Sequence, residues 1–474
     1  MSNTIDSKPA PLMTSVSGVR GIYGKSLTPS VFASYISSFV SVLKSPSIAL
    51  GRDSRVSGQE FYDLALSILR SHNVTVFSLG IVPTPTVQLS VLRHNTGGGI
   101  VITASHNPIE WNGIKFIDSD GLFCSPDICN QIYRLAPSIS VDLEALSSLN
   151  TADNIVNHVQ DSLDAHIDSI LNIPGLSIDH VTRRKLKIAL DTVNGAGGPI
   201  MHKLLTRLGC EVVAINSETS GLFNHPPEPI PEHLDDLGEL VLSHGCDLGI
   251  ATDPDVDRCV LVGSDGVPLG EELTLVIAVD YFLSLEKRAR DANKTLVKNC
   301  STSALIDVVA DKHGYNVVET AVGEINVAKE MQKMGAAIGG EGNGGVMCAD
   351  CHIGRDAPVA ATLVICALAA FNGSILDLRS TYPVFEMLKT KRGVEASDSD
   401  FSRLLPRLHD VFTSPFDVST VDGVKLLSKA GGVERWWVHI RKSNTEPIVR
   451  IIAECGPSSV YTCRQMVDMV SSLL

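Results

Sequence analysis

The sequence predicts an α/β protein with several domains, and two observations support that prediction. Short β-branched runs are followed by a glycine-rich or polar turn and then by a longer amphipathic segment, a rhythm typical of α/β units. The chain also has 474 residues, more than one hydrophobic core usually supports. With 44% hydrophobic and 19% charged residues, the composition is that of a soluble globular protein.

The α/β rhythm starts early in the chain and restarts twice. The first predicted strands are three short β-branched runs, at residues 47–50, 74–79 and 99–103. The pattern restarts at residues 185–191, before a glycine-rich turn and a helix, and again after residue 271. The uncharged apolar stretch at 357–371 is too short for a bilayer span and predicts a buried helix.

After about residue 375 the pattern changes. A polar stretch at 395–400 precedes two final strand-like runs, at 435–440 and 448–453. This part of the chain predicts a separate, smaller domain.

Charge limits the classes of partner. The formal net charge is -14, which argues against nucleic-acid and anionic-membrane binding because both need basic surface. An anionic small substrate would therefore need a local cationic pocket. Residues 1–11 are polar and lack the pattern of a secretion signal, so we expect a cytoplasmic protein.

Eleven scattered cysteines in a chain of this length indicate reduced thiols, not a disulfide framework. Cys348, Cys351 and His352 match the C-x-x-C-H spacing of covalent haem attachment. We interpret the match as chance, because there is no export signal and no second cysteine pair for zinc.

Three aspartates alternate in Asp253-Pro-Asp255-Val-Asp257-Arg258, between two strand-like runs. Side chains two apart on an extended segment point to the same side, so the three carboxylates can converge on one hard cation such as magnesium. A solvated acidic turn is the alternative. An EF-hand is excluded, because Arg258 replaces its sixth-position glycine and Ser264 its closing glutamate.

Ser105 lies in Thr103-Ala-Ser105-His106-Asn107-Pro108, a turn after a predicted strand that can present a hydroxyl to a cleft. An ordinary turn serine is the alternative. A Ser-His-Asp hydrolase is disfavoured, because Ser105 lacks the G-x-S-x-G elbow and the adjacent His106 is poorly placed to activate it.

The loop Arg441-Lys-Ser443-Asn444-Thr445-Glu446-Pro447 combines a guanidinium with hydroxyls, an amide and turn N–H groups. Such a loop can encircle a phosphate, and a polar hairpin is the alternative.

The glycine-rich run at 339–345 contains G-x-G-x-x-G, but Glu341 inside it would repel a pyrophosphate. That carboxylate would instead accept hydrogen bonds from sugar hydroxyls, with glycines allowing a close backbone approach.

Taken together and in this order, the four motifs resemble those of the α-D-phosphohexomutase superfamily, from about residue 17 to the C-terminus. The resemblance implies four domains around a central cleft, the first three with a similar mixed α/β topology and the last a smaller α+β domain. The implied domains are a phosphoserine domain (1–157), a metal-binding domain (158–265), a sugar-binding domain (266–376) and a phosphate-binding C-terminal domain (377–474).

The resemblance also implies the roles of the site residues. Ser105 is carried as a phosphoserine, and one of its oxygens joins Asp253, Asp255 and Asp257 in holding one Mg²⁺. The other implied residues line the transferring phosphate (Arg20, Lys115, Arg258), read sugar hydroxyls (Glu341, Asn343) or grip the non-reacting phosphate (Arg441, Ser443, Asn444, Thr445). Lys115 and His106 are the candidates for proton transfer.

The implied activity is that of an isomerase, which interconverts hexose 6-phosphate and hexose 1-phosphate through a hexose 1,6-bisphosphate. Its partners would be small sugar phosphates, and the chain would act as a monomer or homodimer. The alternatives of other classes are a non-catalytic sugar-phosphate binding protein and a phosphatase.

The sequence departs from many relatives at three positions. Ile325 stands where they carry a basic residue, and Asn343 and Gly345 stand where they carry Ser and His. The G-E-G-N-G-G version is most similar to the phosphoglucosamine mutase branch found in archaea and some bacteria. Phosphomannomutase or phosphoglucomutase activity is the close alternative.

Overall fold

The computed structural model describes residues 11–147, 156–285, 288, 293–393, 404–442 and 448–474. They form four units, each built on one sheet. The strands of the first unit are β1 (Leu12–Ser15), β2 (Gly18–Ile22), β3 (Ser47–Arg52), β4 (Thr75–Ile81), β5 (Gly98–Ile102), β6 (Trp111–Asp118) and β7 (Val156–His158). Its helices are α1 (Pro29–Leu43), α2 (Gly58–Ser71), α3 (Thr84–Arg93), α4 (Pro126–Leu135) and α5 (Leu143–Ser147).

The second unit follows the same alternation of strands and helices. Its helices are α6 (Ser162–Leu171), α7 (Ile178–Arg184), α8 (Gly197–Arg207) and α9 (Asp235–His244). Its strands are β8 (Lys187–Asp191), β9 (Glu211–Ile215), β10 (Leu248–Thr252) and β11 (Cys259–Val262).

The third unit repeats the pattern once more. Its strands are β12 (Thr295–Asn299), β13 (Asn316–Thr320), β14 (Ile338–Glu341) and β15 (Gly345–Cys348). Its helices are α10 (Glu271–Ser284), α11 (Leu305–His313), α12 (Glu324–Met334), α13 (Ala357–Ala370) and α14 (Ile375–Ser380). Helix α13 is the buried helix that the apolar stretch predicts.

The three sheets share one pairing pattern. In each, three parallel strands are followed by one antiparallel strand, in the orders β4-β3-β5-β6, β9-β8-β10-β11 and β13-β12-β14-β15. Parallel neighbours require helical crossovers, which explains the strand–helix rhythm of the sequence. The pattern confirms the predicted mixed α/β topology of the first three domains.

The C-terminal unit is different. Its strands are β16 (Glu386–Gly393), β17 (Phe416–Ser419), β18 (Val424–Ser428), β19 (Trp436–Lys442) and β20 (Ile448–Cys455), and its helices are α15 (Leu404–Val411) and α16 (Cys463–Ser471). The sheet is antiparallel throughout, in the order β16-β20-β19-β18-β17. This confirms the smaller α+β domain, while the exact boundaries at 157, 265 and 376 stay a prediction.

Shared cores hold the units together. One apolar cluster is continuous between the second and third units, where α13 of the third unit packs against α7 of the second. Another joins Val101 of the first sheet to Ile325 and Met331 of α12. The first three units therefore pack against one another, and a smaller cluster of Ala304, Trp437 and Ile452 joins the third unit to the C-terminal part of the chain.

A buried polar chain joins the same three units. His166 Nδ1 lies 2.8 Å from Thr86 Oγ1, and its Nε2 lies 2.8 Å from Asp356 Oδ2, which is also 2.9 Å from His352 Nε2. Asp356 caps α13 and directly follows Arg355 in the chain, so this network fixes the backbone from which Arg355 extends.

All eleven cysteines are free thiols in the structure. None of the helices in the described part of the chain is long and apolar enough to cross a membrane.

Candidate active site

Three of the predicted motifs follow equivalent strands of the three similar sheets. Ser105 comes after β5, Asp253 directly follows β10, and Glu341 ends β14. Carboxyl ends of parallel strands meet at one edge of a sheet, which is where α/β proteins bind ligands. The repeated topology therefore places the three motifs around one cleft.

The Ser105 loop holds its hydroxyl against the aspartates. Ser105 Oγ lies 3.1 Å from Asp253 Oδ2 and 3.2 Å from His106 Nδ1. Its backbone has φ of 50°, in the left-handed region that residues other than glycine rarely adopt. The Ser105 N–H donates to Thr103 Oγ1 at 2.8 Å, which helps to hold this conformation. Strain of this kind concentrates at functional sites.

Arg55 shapes the same loop, and the sequence analysis missed it. Its guanidinium donates to four carbonyl oxygens, those of Ser105 and Asn107 at 2.6 Å, Pro108 at 2.7 Å and Trp111 at 2.9 Å. The side chain is fully buried, and Nε is paired with Asp53 Oδ2 at 3.1 Å. The sequence shows Arg55 only in a charged turn directly after a strand, and arginines in such turns are usually exposed to solvent.

The three aspartates converge as predicted. Asp253, Asp255 and Asp257 are fully buried, and each offers one carboxylate oxygen within 4.8 Å of the others. Between them Val256 has φ of 63°, a strained value for a β-branched residue. The strain accompanies a tight loop, in which Asp253 Oδ1 accepts from the N–H groups of Asp257 and Arg258.

The free oxygens of this cluster fit a divalent cation. Oδ1 of Asp255 and Oδ1 of Asp257 are buried and have no hydrogen-bond partner among the described residues. Burial and then the charges of Asp257 and Asp255 raise the pKa of Asp253 well above its usual range. Buried carboxylates without donors are costly unless a cation compensates them. An all-oxygen donor set is the kind that Mg²⁺ prefers.

Lys115 is the nearest cation to the cluster. Its Nζ lies 2.6 Å from Asp255 Oδ2 and 3.0 Å from Asp257 Oδ2, and the side chain is buried. Burial works to lower the pKa of Lys115, but the charges of Asp255 and Asp257 outweigh it and raise the pKa. Thr84 Oγ1 also donates to Asp255 Oδ2, at 2.6 Å, which ties the first unit to the second.

Further cations surround the serine. Arg20 Nη1 donates to Asn107 Oδ1 at 3.0 Å, and Arg258 Nη1 lies 3.6 Å from Glu228 Oε1. Burial, then the charges of Arg258 and Arg20, lower the pKa of His106 well below its usual value. The neutral form of the imidazole ring is therefore favoured, and it offers one ring nitrogen as a hydrogen-bond acceptor.

Arg355 connects the aspartate loop (residues 253–258, called the metal loop below) with the glycine-rich loop (residues 339–345, called the sugar loop below), and it is a second residue that the sequence analysis missed. Its guanidinium pairs with three carboxylates of two units, Asp257 at 2.7 Å, Glu341 at 3.0 Å and Glu324 at 3.1 Å. Burial works to lower the pKa of Arg355, but these charges raise it well above the usual value. No local pattern around Arg355 indicates these partners, which lie 14 to 98 residues away.

The sugar loop packs against the second unit. Gly344 has φ of 84°, and a Cβ on it would lie 2.4 Å from the carbonyl oxygen of Cys259. A glycine is therefore required at this contact. Glu341 accepts from Asn299 Nδ2 at 2.8 Å and from the N–H of Gly323 at 3.1 Å, in addition to its pair with Arg355.

The C-terminal unit adds two arginines. Arg441 on β19 and Arg450 on β20 are register partners, and both line the cavity. Burial lowers the pKa of Arg441, whose Nη1 lies 3.9 Å from Asp422 Oδ2. The predicted phosphate contacts Ser443, Asn444 and Thr445 lie outside the described residues.

One cavity of about 430 Å³ brings these groups together. Among the predicted residues it is lined by Arg20, His106, Lys115, Arg258, Glu341, Asn343 and Arg441. Asn343 Oδ1 is buried and has no hydrogen-bond partner among the described residues. All four units contribute to the cationic cleft that the net charge of -14 made necessary for an anionic substrate.

Three sequence profiles of one family match the chain. They describe phosphoglucomutase/phosphomannomutase alpha/beta/alpha domains I, II and III, and they match residues 12–141, 164–266 and 270–385. The chain belongs to the phosphoglucomutase/phosphomannomutase family. This confirms the predicted superfamily and makes the chain a phosphosugar mutase, an isomerase.

Individual relatives agree along the whole chain. A phosphoglucomutase/phosphomannomutase of Thermococcus kodakarensis is 32% identical over 466 residues, which cover 96% of this chain and 97% of that protein. A probable phosphoglucosamine mutase of Methanopyrus kandleri is 32% identical over 92% of each chain. Among solved structures, a putative phosphomannomutase from Thermus thermophilus has a TM-score of 0.80 and 23% identity, and covers 98% of this chain and 99% of its own. That likeness shows the shared fold.

We predict that Arg355→Met destabilises the family fold of this chain and impairs turnover. The change leaves three buried carboxylates without their shared cation, which costs about 3–5 kcal/mol of unfolding free energy. Urea unfolding and kcat/KM are the measurements. Arg355→Lys keeps the positive charge but lacks the planar guanidinium. Its unfolding free energy and kcat/KM should lie between those of the unchanged chain and those of Arg355→Met.

Arg93→Met is the matched control for this prediction. Arg93 forms an exposed ion pair with Asp161, and its loss should cost no more than about 1 kcal/mol. Equal unfolding midpoints for the Arg355→Met and Arg93→Met variants would contradict the role of Arg355 as the shared cation of three buried carboxylates.

Proposed function

We propose that the chain interconverts hexose 6-phosphate and hexose 1-phosphate through phosphorylated Ser105, with glucosamine phosphate as its substrate. The observation that carries the proposal is the position of Ser105 Oγ, which lies 3.1 Å from Asp253 Oδ2 and 3.2 Å from Nδ1 of His106, a residue that lines the cationic cavity. The other side of this cavity carries Arg441 and Arg450, which suit a second phosphate.

The proposed reaction has two phosphoryl transfers. In the first, the P–Oγ bond of phospho-Ser105 breaks and a P–O1 bond forms with hexose 6-phosphate, while the O1 proton passes by way of His106 to Ser105 Oγ. The resulting hexose 1,6-bisphosphate turns around in the cleft. In the second, the P–O6 bond breaks and a P–Oγ bond forms again, while the proton of Ser105 Oγ passes to O6 and hexose 1-phosphate leaves.

The site residues support this chemistry mainly by position and charge. Asp253, Asp255 and Asp257 would hold Mg²⁺ together with a phosphoserine oxygen. Magnesium, when bound, neutralises charge on the transferring phosphoryl group. The cations Arg20, Lys115 and Arg258 extend that neutralisation over the moving group.

Proton transfer is best assigned to His106, with Lys115 as the other candidate. Lys115 keeps its proton because Asp255 and Asp257 raise its pKa. His106 Nδ1 is 3.2 Å from Ser105 Oγ, and the lowered pKa of His106 favours its neutral form. An imidazole in contact with Ser105 Oγ is placed to pass a proton to or from that oxygen.

The remaining residues would bind the sugar phosphate. Glu341 and Asn343 are proposed to read hydroxyls, and Arg441 to grip the non-reacting phosphate together with Ser443, Asn444 and Thr445. Glucosamine phosphate is favoured because the Methanopyrus kandleri relative is named a probable phosphoglucosamine mutase. Mannose or glucose phosphate is the second candidate, because the Thermococcus kodakarensis relative carries those names.

Product analysis tests the proposal. The full chain is incubated with Mg²⁺, a trace of hexose 1,6-bisphosphate and, separately, the 6-phosphates of glucosamine, mannose and glucose. We expect a 1-phosphate, formed with the highest kcat/KM from glucosamine 6-phosphate. Release of free phosphate would instead indicate a phosphatase, and unchanged substrate a non-catalytic binding protein.

A further inference from the structure

The cavity contains a carboxylate that no motif predicted. We propose that Glu272 is a specificity residue that binds the ammonium group of an amino-sugar phosphate. This inference rests on the proposed function and concerns how the same site selects its sugar. The ligand class is a hexose phosphate with a positively charged amine in place of one ring hydroxyl.

Glu272 lies directly against the sugar loop. It is the second residue of α10 and lines the cavity beside Glu341, Gly342 and Asn343. A Cβ on Gly342 would lie 1.8 Å from Oε2 and 2.3 Å from Oε1 of Glu272. Only a glycine at position 342 leaves room for this carboxylate, so the loop and Glu272 form one surface.

The other carboxylates of the cavity already have protein partners. Three acidic residues line it among the described residues, namely Glu272, Glu324 and Glu341. Glu341 accepts from Asn299, Gly323 and Arg355, and Glu324 accepts twice from Arg355. Their acceptor capacity is largely used inside the protein.

Glu272 has much weaker compensation. Its Oε2 accepts from the Ser303 N–H at 3.0 Å, but the nearest cation, Lys389 Nζ, is 3.7 Å from Oε1. That distance is too long for a hydrogen bond, and Lys389 instead donates to Glu271 at 2.7 Å. Oε1 of Glu272 is therefore the available acceptor beside the sugar loop.

The electrostatics favour a cationic ligand group at this position. Burial raises the pKa of Glu272 to about 8, although Lys389 acts in the opposite direction, so the protonated carboxyl is favoured at pH 7 without a ligand and a bound ammonium group favours the carboxylate. A desolvated carboxylate gains more from an ammonium group than from a neutral hydroxyl, because the ammonium supplies both a donor and a charge. Glu272 thus discriminates between an amine and a hydroxyl on otherwise equal sugars.

The test compares two substrates in three proteins. The kcat/KM values for glucosamine 6-phosphate and glucose 6-phosphate are measured with Mg²⁺ for the unchanged chain, Glu272→Gln and Glu271→Gln. Glu272→Gln should lower the glucosamine-to-glucose ratio by roughly 10- to 100-fold, the size expected for a hydrogen bond to a charged group. Glu271→Gln should leave the ratio within about threefold, because Glu271 does not line this cavity.

The Glu271→Gln control separates a direct effect of the Glu272 carboxylate from an indirect effect through the contact between α10 and the C-terminal unit. Glu271→Gln removes the closer partner of Lys389, so it disturbs the same contact between α10 and β16. A second variant, Gly342→Ala, would push the Glu272 carboxylate aside and should lower the ratio in the same direction. It gives a decision even if Glu272→Gln does not fold.

Two results would overturn the inference. A ratio that neither Glu272→Gln nor Gly342→Ala changes would show that the carboxylate does not read the amine. Equal losses on both substrates would show a purely structural role. If the unchanged chain converts mannose or glucose 6-phosphate but not the glucosamine ester, the proposed substrate itself is wrong, which is a distinguishable failure.

Discussion

Ser105→Ala is expected to lower mutase turnover by at least about 10⁴-fold, because the variant has no oxygen to carry the phosphoryl group. The neighbouring groups do not replace it. His106 Nδ1 and Asp253 Oδ2 contact the hydroxyl only as hydrogen-bond partners, at 3.2 and 3.1 Å. The measurements are kcat and the mass of the protein after incubation with glucose 1,6-bisphosphate.

The mass measurement separates the carrier role from a role in packing. The unchanged chain should gain one phosphate on the peptide that contains Ser105, and the variant should gain none. Ser90→Ala is a suitable control, because Ser90 is also buried but its Oγ only donates to Thr86 O in α3. Full turnover by the Ser105→Ala variant would refute the phosphoserine mechanism.

The sequence was informative where chemistry demands residue types at fixed spacing. The alternating aspartates at 253, 255 and 257 indicated one cation, and the structure brings their oxygens within 4.8 Å of one another. The serine loop and the sugar loop were equally visible, because each follows a short buried strand. The repeated rhythm also predicted the three similar sheets, since helical crossovers between parallel strands leave a local pattern.

The sequence was silent where the site depends on buried charges with distant partners. Arg55 donates to carbonyl groups that lie 50 to 56 residues later in the chain. Arg355 pairs with Asp257, which lies 98 residues earlier. Arginine in a polar turn is normally exposed, so local patterns predict a surface residue. Only the packing of the units shows that these two side chains are buried.

The departure at position 325 now has a structural description. Ile325 is buried in an apolar cluster with Met331 and Val101, where a charged side chain would be costly. The neighbouring Glu324 is nevertheless paired with a guanidinium, that of Arg355 just before α13. A comparison of sequence motifs shows that position 325 lacks a basic residue, but it does not show that Arg355 supplies a guanidinium to Glu324 from 31 residues away.

Asp255→Ala is expected to lower turnover by about 10³-fold or more and to weaken the response to Mg²⁺, while the chain still folds. Asp255 offers a buried Oδ1 without a partner among the described residues, which is the kind of ligand a cation needs. Lys115 would keep its contact with Asp257 at 3.0 Å, so the variant leaves no isolated buried cation. Relief of the repulsion within the triad offsets part of the lost contacts.

Thermal unfolding with and without Mg²⁺ separates metal binding from folding. A ligand that binds only the native state raises the melting temperature, so Mg²⁺ should stabilise the unchanged chain and stabilise Asp255→Ala less at the same concentration. Asp265→Ala is the control, because Asp265 belongs to the same unit but lies outside the triad, where it accepts from the Val267 N–H. Its Mg²⁺ dependence should match that of the unchanged chain. A folded Asp255→Ala variant with normal turnover and an unchanged Mg²⁺ titration would show that the triad is not the metal site. Lys115 and Arg355 would then be the cations that compensate the buried carboxylates of the unchanged chain.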